Sequence, residues 1–393
     1  MKAFASDDSG RLLLVANFAP DVGYAWWLVE NFWIRTAGIA RASGIEPLIA
    51  FPETGAIPDP LHDAEIEVVV CPFPGRGLRN TLRALGLVRS RRVRYVYFTD
   101  RPYSSWFYLL LRLLGVCLII NHDHTPGDRP PVAGLRGWVK SRFQRMWWWS
   151  CDLQICVSPL IRERAITNGR IPDERAVVVQ NGIPPMECTG DRRYAARVLG
   201  LPPDKRICVT VARANPYKRI DFAIRVARRY AVDFDRQDLM FVYCGDGPDL
   251  QRLSQLATQL EVTEHFIFAG QREDIPQLLC SADFALHTAM GEAFSLAILE
   301  YMSAGLAVLV PDVPTVRQAI CHGTTGMVYP DGDVDAAAGL LLELSEDPVR
   351  RAKLGRDAKL EVDSRFSFSG MNGDFDRVMR EALNAGHPSP GAG

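Results

Sequence analysis

The sequence lacks the features that mark several large classes of protein. Its 45 Lys and Arg residues balance 46 Asp and Glu residues, so it has no basic excess of the kind that nucleic-acid-binding proteins carry. Its nine cysteines are odd in number and include no Cys-x-x-Cys pair, which indicates reduced, incidental thiols rather than a disulfide framework or a zinc site. The absence of a G-x-G-x-x-G run argues against a dinucleotide-dependent oxidoreductase.

Long apolar runs are also missing. The most apolar stretch, residues 106–120, is too short to span a bilayer and is interrupted by Arg112. Residues 1–10 contain two Asp and no apolar core, so we expect no secretory signal. The expected location is the cytoplasm, with peripheral attachment at the cytoplasmic face of a membrane as the alternative.

Tryptophan is absent after residue 150, although the chain contains eight. The same half is the more basic one, with a net charge of +5 over residues 1–180 and −6 over the remainder. This uneven distribution predicts that the two halves do different jobs.

Short apolar, β-branched runs alternate with longer helical patterns along the whole chain. This alternation predicts an α/β protein with parallel sheets, in two successive series of strands. The predicted strands are 12–16, 67–70, 95–98, 116–120, 153–157 and 176–179, then 207–211, 240–243, 265–268, 284–287, 307–310 and 326–328.

A polar link with proline pairs at 184–185 and 202–203 separates the two series. We therefore predict one domain over residues 1–184 and a second over 185–364. A helix over 365–385 is expected to cross back to the first domain. Residues 386–393 form a Gly- and Pro-containing tail that is expected to be disordered.

The most informative segment runs from Gly291 to Gly305. Ser295 is positioned to cap a helix, which leaves the backbone N–H groups of Leu296 and Ala297 as free donors for an anion. Glu292 precedes this pocket and Glu300 lies about 7–8 Å further along the helix axis. The two carboxylates would bracket a bound phosphate group and accept hydrogen bonds from sugar hydroxyls, unless they only stabilise the helix start.

A basic pair precedes this segment. Arg213 and Lys218 follow the predicted strand 207–211, and two cations at the carboxyl end of a strand suit a diphosphate. The alternative is a solvated basic loop.

These residues together resemble a known family. The spacing Glu292-x7-Glu300, the upstream Arg213 and Lys218, and the sequences Gly245-Asp-Gly-Pro248 and Asn181-Gly182-Ile183 are similar to those of the GT4 retaining glycosyltransferases, which have the GT-B fold. The resemblance implies two Rossmann-like domains that face each other across a cleft, with the nucleotide sugar bound by the second and the acceptor by the first.

The resemblance also implies roles for individual residues. Glu292 would hold hydroxyls of the donor sugar and Glu300 the ribose. Arg213 and Lys218 would hold the diphosphate together with the amides of Leu296 and Ala297. The remaining donor-binding residues would be Gly245, Phe294 and Ser295. A UDP- or GDP-sugar would be the donor, with no cofactor and no metal.

In the first half the candidates are on two loops. Gly23 lies in the loop after the first predicted strand, where the family faces the acceptor, and Trp26 is beside it. His122, Asp123 and His124 follow the predicted strand 116–120, where the family often keeps a histidine. The sequence leaves open which of His122 and His124 is in the site, and whether each is catalytic or structural.

Residues 136–149 combine basic residues with four tryptophans. Three of these are consecutive, so they cannot all reach one core. Contact with a membrane surface, stacking on a sugar and packing in the core all remain open.

The function that follows is a retaining glycosyltransferase of the hexosyltransferase type, acting on a glycan or lipid-linked acceptor in polysaccharide or glycoconjugate biosynthesis. Nucleic acid is not an expected partner. Two alternatives are a nucleotide-sugar epimerase or hydrolase of the same fold, and an inactive subunit that only binds the donor.

Overall fold

Two compact units make up the described chain. The computed structural model describes residues 10–20, 26–73, 77–127, 133–188 and 190–386. Unit 1 contains the described residues up to Thr125, those from 133 to Gln180, and those from Met371 onward. Unit 2 contains residues 126 and 127 and the described residues from Asn181 to Gly370.

Unit 1 is built on a seven-stranded parallel sheet with the order β3-β2-β1-β4-β5-β6-β7. Its strands are β1 (Arg11–Val15), β2 (Glu46–Phe51), β3 (Glu67–Val70), β4 (Val93–Thr99), β5 (Leu118–Asp123), β6 (Leu153–Cys156) and β7 (Ala176–Val178). Its helices are α1 (Trp27–Ala42), α2 (Asp59–Asp63), α3 (Leu78–Ser90), α4 (Trp106–Leu113), α5 (Gly134–Gln144) and α6 (Pro159–Thr167).

The sheet of unit 1 is covered on both sides. Leu12, Leu13 and Leu14 of β1 are all completely buried, although successive residues of a strand point to opposite faces. Crossover connections between parallel strands are right-handed. A helix that connects two strands in one direction across the sheet therefore lies on one face, and a helix that connects strands in the other direction lies on the opposite face. By this rule α1 and α2 cover one face, and α3 to α6 cover the other.

Unit 2 is built on a six-stranded parallel sheet with the order β10-β9-β8-β11-β12-β13. Its strands are β8 (Arg206–Val211), β9 (Leu239–Cys244), β10 (Phe266–Gly270), β11 (Phe284–Leu286), β12 (Ala307–Pro311) and β13 (Met327–Tyr329). Its helices are α7 (Tyr194–Leu199), α8 (Ile220–Arg228), α9 (Leu250–Gln259), α10 (Ile275–Cys280), α11 (Leu296–Ser303), α12 (Val334–Glu346) and α13 (Pro348–Arg365). The last helix, α14 (Phe368–Gly386), begins in unit 2 and continues in unit 1.

Two segments of unit 2 that lead to passages into unit 1 lie side by side. Ile183 donates its amide to Phe366 and accepts a hydrogen bond from the amide of Phe368, each at 3.0 Å. Gly182 is required here, because a Cβ at this position would overlap the carbonyl oxygen of Ser367. The passage that begins the long segment of unit 2 is between Gln180 and Asn181, four residues before the predicted boundary.

Helix α14 packs against α1 within unit 1. Phe375 is completely buried with its ring 4.6 Å from that of Phe32, measured between centroids. Asp376 accepts two hydrogen bonds from Arg35, at 2.7 and 2.6 Å. The helix therefore supplies part of the core of unit 1 from the far end of the sequence. Gly386, placed in the disordered tail by the sequence, is the last residue of this helix, and residues 387–393 lie outside the described part of the chain.

The two parallel sheets confirm the predicted fold class, and three local expectations need correction. Strand β2 was missed. Strand β5 starts two residues later than predicted and runs on to Asp123. The cysteines are not all unpaired, because Cys188 and Cys280 form a disulfide across 92 residues.

Candidate functional site

Three loops of unit 2 emerge at the carboxyl edge of its sheet, beside the point where the strand order reverses. From β8 the chain steps to β9 and β10 in one direction, and β11, β12 and β13 continue in the other. The loops after β8, β9 and β11 carry Arg213 with Lys218, Gly245, and Glu292. Ligands of open parallel sheets bind at such a reversal point, so the predicted donor residues are on the loops that form a site in this architecture.

A buried ion pair joins two of these loops. The Nζ atom of Lys218 lies 2.5 Å from Oε1 of Glu292, and only 16% and 12% of the two side chains are exposed. His287, at the end of β11, places Nε2 3.3 Å from the same carboxylate oxygen. Thr288 ties the same two loops together through the backbone, because its hydroxyl donates a hydrogen bond to the carbonyl oxygen of Lys218 at 2.6 Å.

The pKa shifts of Glu292, Lys218 and His287 determine their charges at neutral pH. Burial alone would raise the pKa of Glu292, but the adjacent Lys218 ammonium and His287 ring outweigh burial and lower that pKa from 4.5 to about 2. Burial opposes the charge on Lys218, yet the Glu292 carboxylate raises the pKa of this lysine. Burial lowers the pKa of His287. At neutral pH the carboxylate and the ammonium are therefore charged and the imidazole is neutral.

The loop after β9 is packed against the loop after β8. Gly245 and Gly247 both have φ = +153°, and a Cβ on either would overlap a carbonyl oxygen, that of Ala212 or that of Ala214. The amide of Ala214 in turn donates to the carbonyl oxygen of Asp246 at 2.9 Å. Glycine is needed at both positions to let the two loops approach, and this contact fixes the backbone on either side of Arg213.

Helix α11 begins at the predicted residue. Ser295 is its N-cap and makes no side-chain capping bond, and the first amides of the helix, those of Leu296 and Ala297, have no intrahelical acceptor. Phe294 is buried against Phe366, with ring centroids 5.5 Å apart. The packing of Phe294 therefore anchors the start of the helix. The first amides, at the positive end of the helix dipole, point away from the body of the helix.

The remaining donor candidates differ in exposure. Arg213 is exposed and forms no ion pair with a carboxylate of the described residues, so its charge is not neutralised within this region. Glu300 is buried, with 6% of its surface accessible. It lies five residues into α11, as predicted.

In unit 1 the two candidate histidines have different surroundings. His122 is completely buried, and its Nδ1 lies 2.6 Å from the hydroxyl of Tyr97. Burial, with a smaller contribution from His124, lowers the pKa of His122 well below its ordinary value. The side chain of His124 is 16% exposed, and its Nδ1 is 3.8 Å from a carboxylate oxygen of Asp100. His124 is thus the more exposed of the two histidines, although both of its ring nitrogens are buried.

Asp123 lies on the opposite side of β5 from the two histidines. Its carboxylate lies 3.4 Å from the Arg164 guanidinium and accepts a hydrogen bond from the amide of Thr125 at 3.0 Å. Both carboxylate and guanidinium are almost completely buried. Asp123 therefore forms a structural ion pair and is not directed toward solvent.

The other two acceptor-side candidates lie after β1. Trp26 packs edge-on against Phe18 and Trp33, at centroid distances of 5.1 and 5.5 Å. Gly23 lies outside the described residues.

Two contacts of the site were not anticipated. His287 ends a predicted strand, so a polar side chain at a carboxyl end was the available signal for it. Tyr97 lies in the middle of a predicted strand with no signal that separates it from the rest of the core.

Metal ligands do not gather anywhere in the described residues. No group of three or more His, Cys, Asp and Glu side chains there could hold an ion. Lys218 and Arg213, the residues predicted to hold the diphosphate, are cations and are not metal ligands. Among the described helices, none is both long and apolar enough to cross a membrane.

Two family models match the chain. Residues 191–361 match "Glycosyl transferases group 1" and residues 34–182 match "Glycosyl transferase 4-like domain". Together these matches cover about four-fifths of the chain.

Curated relatives are distant and match in part. A D-inositol 3-phosphate glycosyltransferase of Thermobispora bispora is 29% identical over 226 residues, which are 55% of this chain and 53% of the relative. An N-acetyl-alpha-D-glucosaminyl L-malate synthase of Bacillus anthracis is 23% identical over 193 residues, 49% of this chain and 50% of the relative. The chain thus spans about half the length of these relatives.

Two solved structures match over nearly all of the chain. A glycosyltransferase from Rickettsia africae has a TM-score of 0.77 at 16% identity, covering 95% of this chain and 98% of the other. HepE of Anabaena in complex with UDP-glucose has a TM-score of 0.72 at 18% identity, covering 95% and 99%. With both halves matched by glycosyltransferase models and the architecture shared with these structures, the chain is a member of the group 1, GT4-like glycosyltransferases and has the GT-B fold.

Proposed function

We propose that the chain transfers a sugar from a nucleoside-diphosphate sugar to a glycan or lipid-linked acceptor and retains the anomeric configuration. The observation that carries this proposal is the buried pair of Lys218 and Glu292 at the reversal point of the unit 2 sheet. It puts a cation and an ionised carboxylate, the groups needed for a diphosphate and for sugar hydroxyls, within one hydrogen bond of each other.

The diphosphate would be held by positive charge and backbone amides. Arg213 has no carboxylate partner among the described residues, and Lys218 has two further N–H donors besides the one directed at Glu292. The amides of Leu296 and Ala297 add donors at the positive end of a helix dipole. When the bond between the anomeric carbon and the diphosphate oxygen breaks, negative charge grows on that oxygen, and these groups stabilise it.

The sugar and the ribose would be held by carboxylates. Glu292, ionised at all working pH values, accepts hydrogen bonds from sugar hydroxyls, and Lys218 keeps it oriented. Glu300 is assigned to the ribose, and Phe294, Ser295 and Gly245 shape the backbone around the donor. One structural neighbour supports a nucleotide sugar as donor, because solved structures of HepE contain UDP and UDP-glucose.

A thermal-shift screen tests the donor site. UDP-, GDP- and ADP-sugars are each added to the wild-type chain, and we expect one nucleotide class to raise the melting temperature by mass action. Lys218→Ala and Glu292→Gln should each remove that shift. Lys353→Ala and Glu264→Gln change exposed residues of unit 2 and serve as matched controls. No shift with any nucleotide sugar, or an undiminished shift in both site variants, would refute the donor assignment.

Product analysis separates transfer from its alternatives. With donor and acceptor present, we expect a glycoside whose anomeric configuration, read by NMR, equals that of the donor. Release of free sugar or a changed nucleotide sugar without acceptor would indicate a hydrolase or an epimerase, and donor binding without turnover would indicate a binding subunit. Transfer should persist in excess EDTA, because Arg213 and Lys218 supply the positive charge.

A further inference from the structure

Helix α5 of unit 1 is amphipathic, but its apolar face is exposed and is not packed into the core. Its apolar residues Leu135, Trp138, Val139 and Phe143 follow the i, i+3, i+4, i+8 spacing of a single stripe. All four are exposed, Leu135 by 76% and Trp138 by 62%. The residues of this helix that are buried are Gly137 and Gln144. The helix thus directs its apolar stripe away from the protein core.

The exposed apolar surface continues beyond α5. Trp147 and Trp148, just after the helix, are 51% and 47% exposed, and Trp106 at the start of α4 is 55% exposed. The residues are neighbours in space, since the Trp149 carbonyl oxygen accepts a hydrogen bond from the amide of Ser105 at 2.9 Å. We refer to Trp106, Trp138, Phe143, Trp147 and Trp148 as the aromatic patch.

The helices that carry the patch contain no acidic residue, whereas α6, on the same face of the sheet, contains the exposed Glu163. Helices α3, α4 and α5 lie on the same face of the unit 1 sheet, and α3 packs beside α4. Together they hold seven Arg and Lys residues and no Asp or Glu, and one of the seven, Arg112, is buried and paired with Asp152. Helix α3 also exposes Leu78 and Leu82, one turn apart. A surface with this composition is complementary to an apolar phase bounded by negative charge.

Basic side chains border the stripe itself. Arg136, Arg142 and Arg145 are exposed, and none of them forms an ion pair with a carboxylate of the described residues. The Arg142 guanidinium lies 6.0 Å from the centre of the Trp138 ring. Cations flanking a row of Trp, Phe and Leu form the pattern of helices that lie in the interface of a bilayer with anionic lipids.

We propose that unit 1 docks on an anionic membrane surface through the aromatic patch and the basic residues beside it. Trp138, Phe143, Trp147 and Trp148 enter the headgroup region, and Arg136, Arg142 and Arg145 contact lipid phosphates. The charge distribution disfavours a second copy as the occupant, because a symmetric contact would oppose the exposed Arg136, Arg142 and Arg145 of each copy. The stripe of Leu135 and Val139 disfavours nucleic acid, which offers no apolar phase to receive it.

Sedimentation with lipid vesicles tests this proposal. The full chain is mixed with vesicles of phosphatidylcholine alone and of phosphatidylcholine with phosphatidylglycerol. We expect the chain to sediment with the anionic vesicles and to be released by high salt. Trp138→Ser with Trp148→Ser, and separately Arg136→Glu with Arg142→Glu, should each weaken partitioning by about tenfold or more.

Matched controls come from unit 2. Leu360→Ser and Arg356→Glu alter exposed residues of α13 and should bind vesicles as the wild type does. All variants should keep the wild-type melting temperature and the wild-type shift with nucleotide sugar. The assay needs neither donor nor acceptor, so its outcome is independent of the proposed function.

Three results would overturn the proposal. One is the absence of sedimentation with anionic vesicles, and another is partitioning that the patch variants leave unchanged. The third is a different occupant, seen as a dimer that the patch variants dissociate or as a nucleic-acid complex that they abolish.

Discussion

At the scale of single residues, the ion pair of Lys218 and Glu292 links the stability of unit 2 to its site. Glu292→Gln removes a carboxylate whose pKa is lowered to about 2 in the folded protein, against 4.5 when unfolded. A lowered pKa stabilises the fold above pH 4.5, and this stabilisation is lost as the pH falls toward 2. We expect the variant to be about 3 kcal/mol less stable at pH 7.

Denaturant unfolding of both proteins from pH 7 to pH 3 measures this effect. The difference in the free energy of unfolding between wild type and Glu292→Gln should stay constant down to about pH 5. By pH 3 this difference should fall to less than about half of its value at pH 7. A difference that grows on acidification would contradict the assigned charge state. So would a variant as stable as the wild type at pH 7.

The two histidines of β5 should respond differently to alanine. His122→Ala opens a cavity among Phe32, Tyr97 and Phe375 and should cost about 2–4 kcal/mol of stability. His124→Ala should cost less stability than His122→Ala and lower the transfer rate by about tenfold or more. Calorimetry measures the stability of both variants, and a transfer assay measures their rates. A larger loss of rate in His122→Ala than in His124→Ala would assign the site to His122.

The residue scale also shows where sequence reasoning stops. The motif around Glu292 and Ser295 is local, so its position on a loop and a helix start could be predicted. The contact between Lys218 and Glu292 spans 74 residues and has no local signal. Neither does the burial of His122, which depends on Tyr97 and on a helix at the far end of the chain.

At the scale of elements, the two glycines after β9 are needed for the approach of two loops. Gly245→Ala or Gly247→Ala adds a Cβ that overlaps a backbone carbonyl at a φ of +153°. We expect a loss of about 2 kcal/mol or more and a loss of the donor-induced thermal shift. Gly339→Ala, inside α12 with open space around it, is the control and should stabilise by about 0.5–1 kcal/mol.

The disulfide ties the segment after residue 181 to the end of α10. Cys280→Ser removes a cross-link that closes a long loop, so the oxidised protein should lose about 2–4 kcal/mol. Adding a reductant to the wild type should bring its melting temperature down to that of the variant. Cys321→Ser, at an exposed free thiol, should have no effect in either condition. An oxidised wild type that melts with the Cys280→Ser variant would contradict the cross-link.

The elements that the sequence pattern misplaced have a common cause. Strand β2 contains Pro47, which ordinarily marks an edge strand or a break. It is nevertheless an internal strand, with Pro47 opposite Leu12. Strand β5 continues through Asn121, His122 and Asp123 because each polar side chain has a buried partner on another element. Both cases depend on neighbours that are distant in sequence.

At the scale of the whole molecule, unit 1 depends on a helix from the end of the chain. Phe375→Ala should destabilise unit 1 by about 3–5 kcal/mol, because Phe375 is completely buried against Phe32. Leu360→Ala, on an exposed position of α13, should change stability by less than about 0.5 kcal/mol. Calorimetry should show the loss in the transition of unit 1, and an unchanged transition would contradict the packing of α14.

The position of α14 also has a consequence for synthesis on the ribosome. All seven strands of unit 1 are translated before residue 180, but the helix that covers Phe32 and His122 is translated after unit 2. The nascent first unit therefore keeps part of its apolar surface open while the whole of unit 2 is made. The core of unit 1 therefore closes only after α14 has left the exit tunnel, which requires that unit 2 has been translated first.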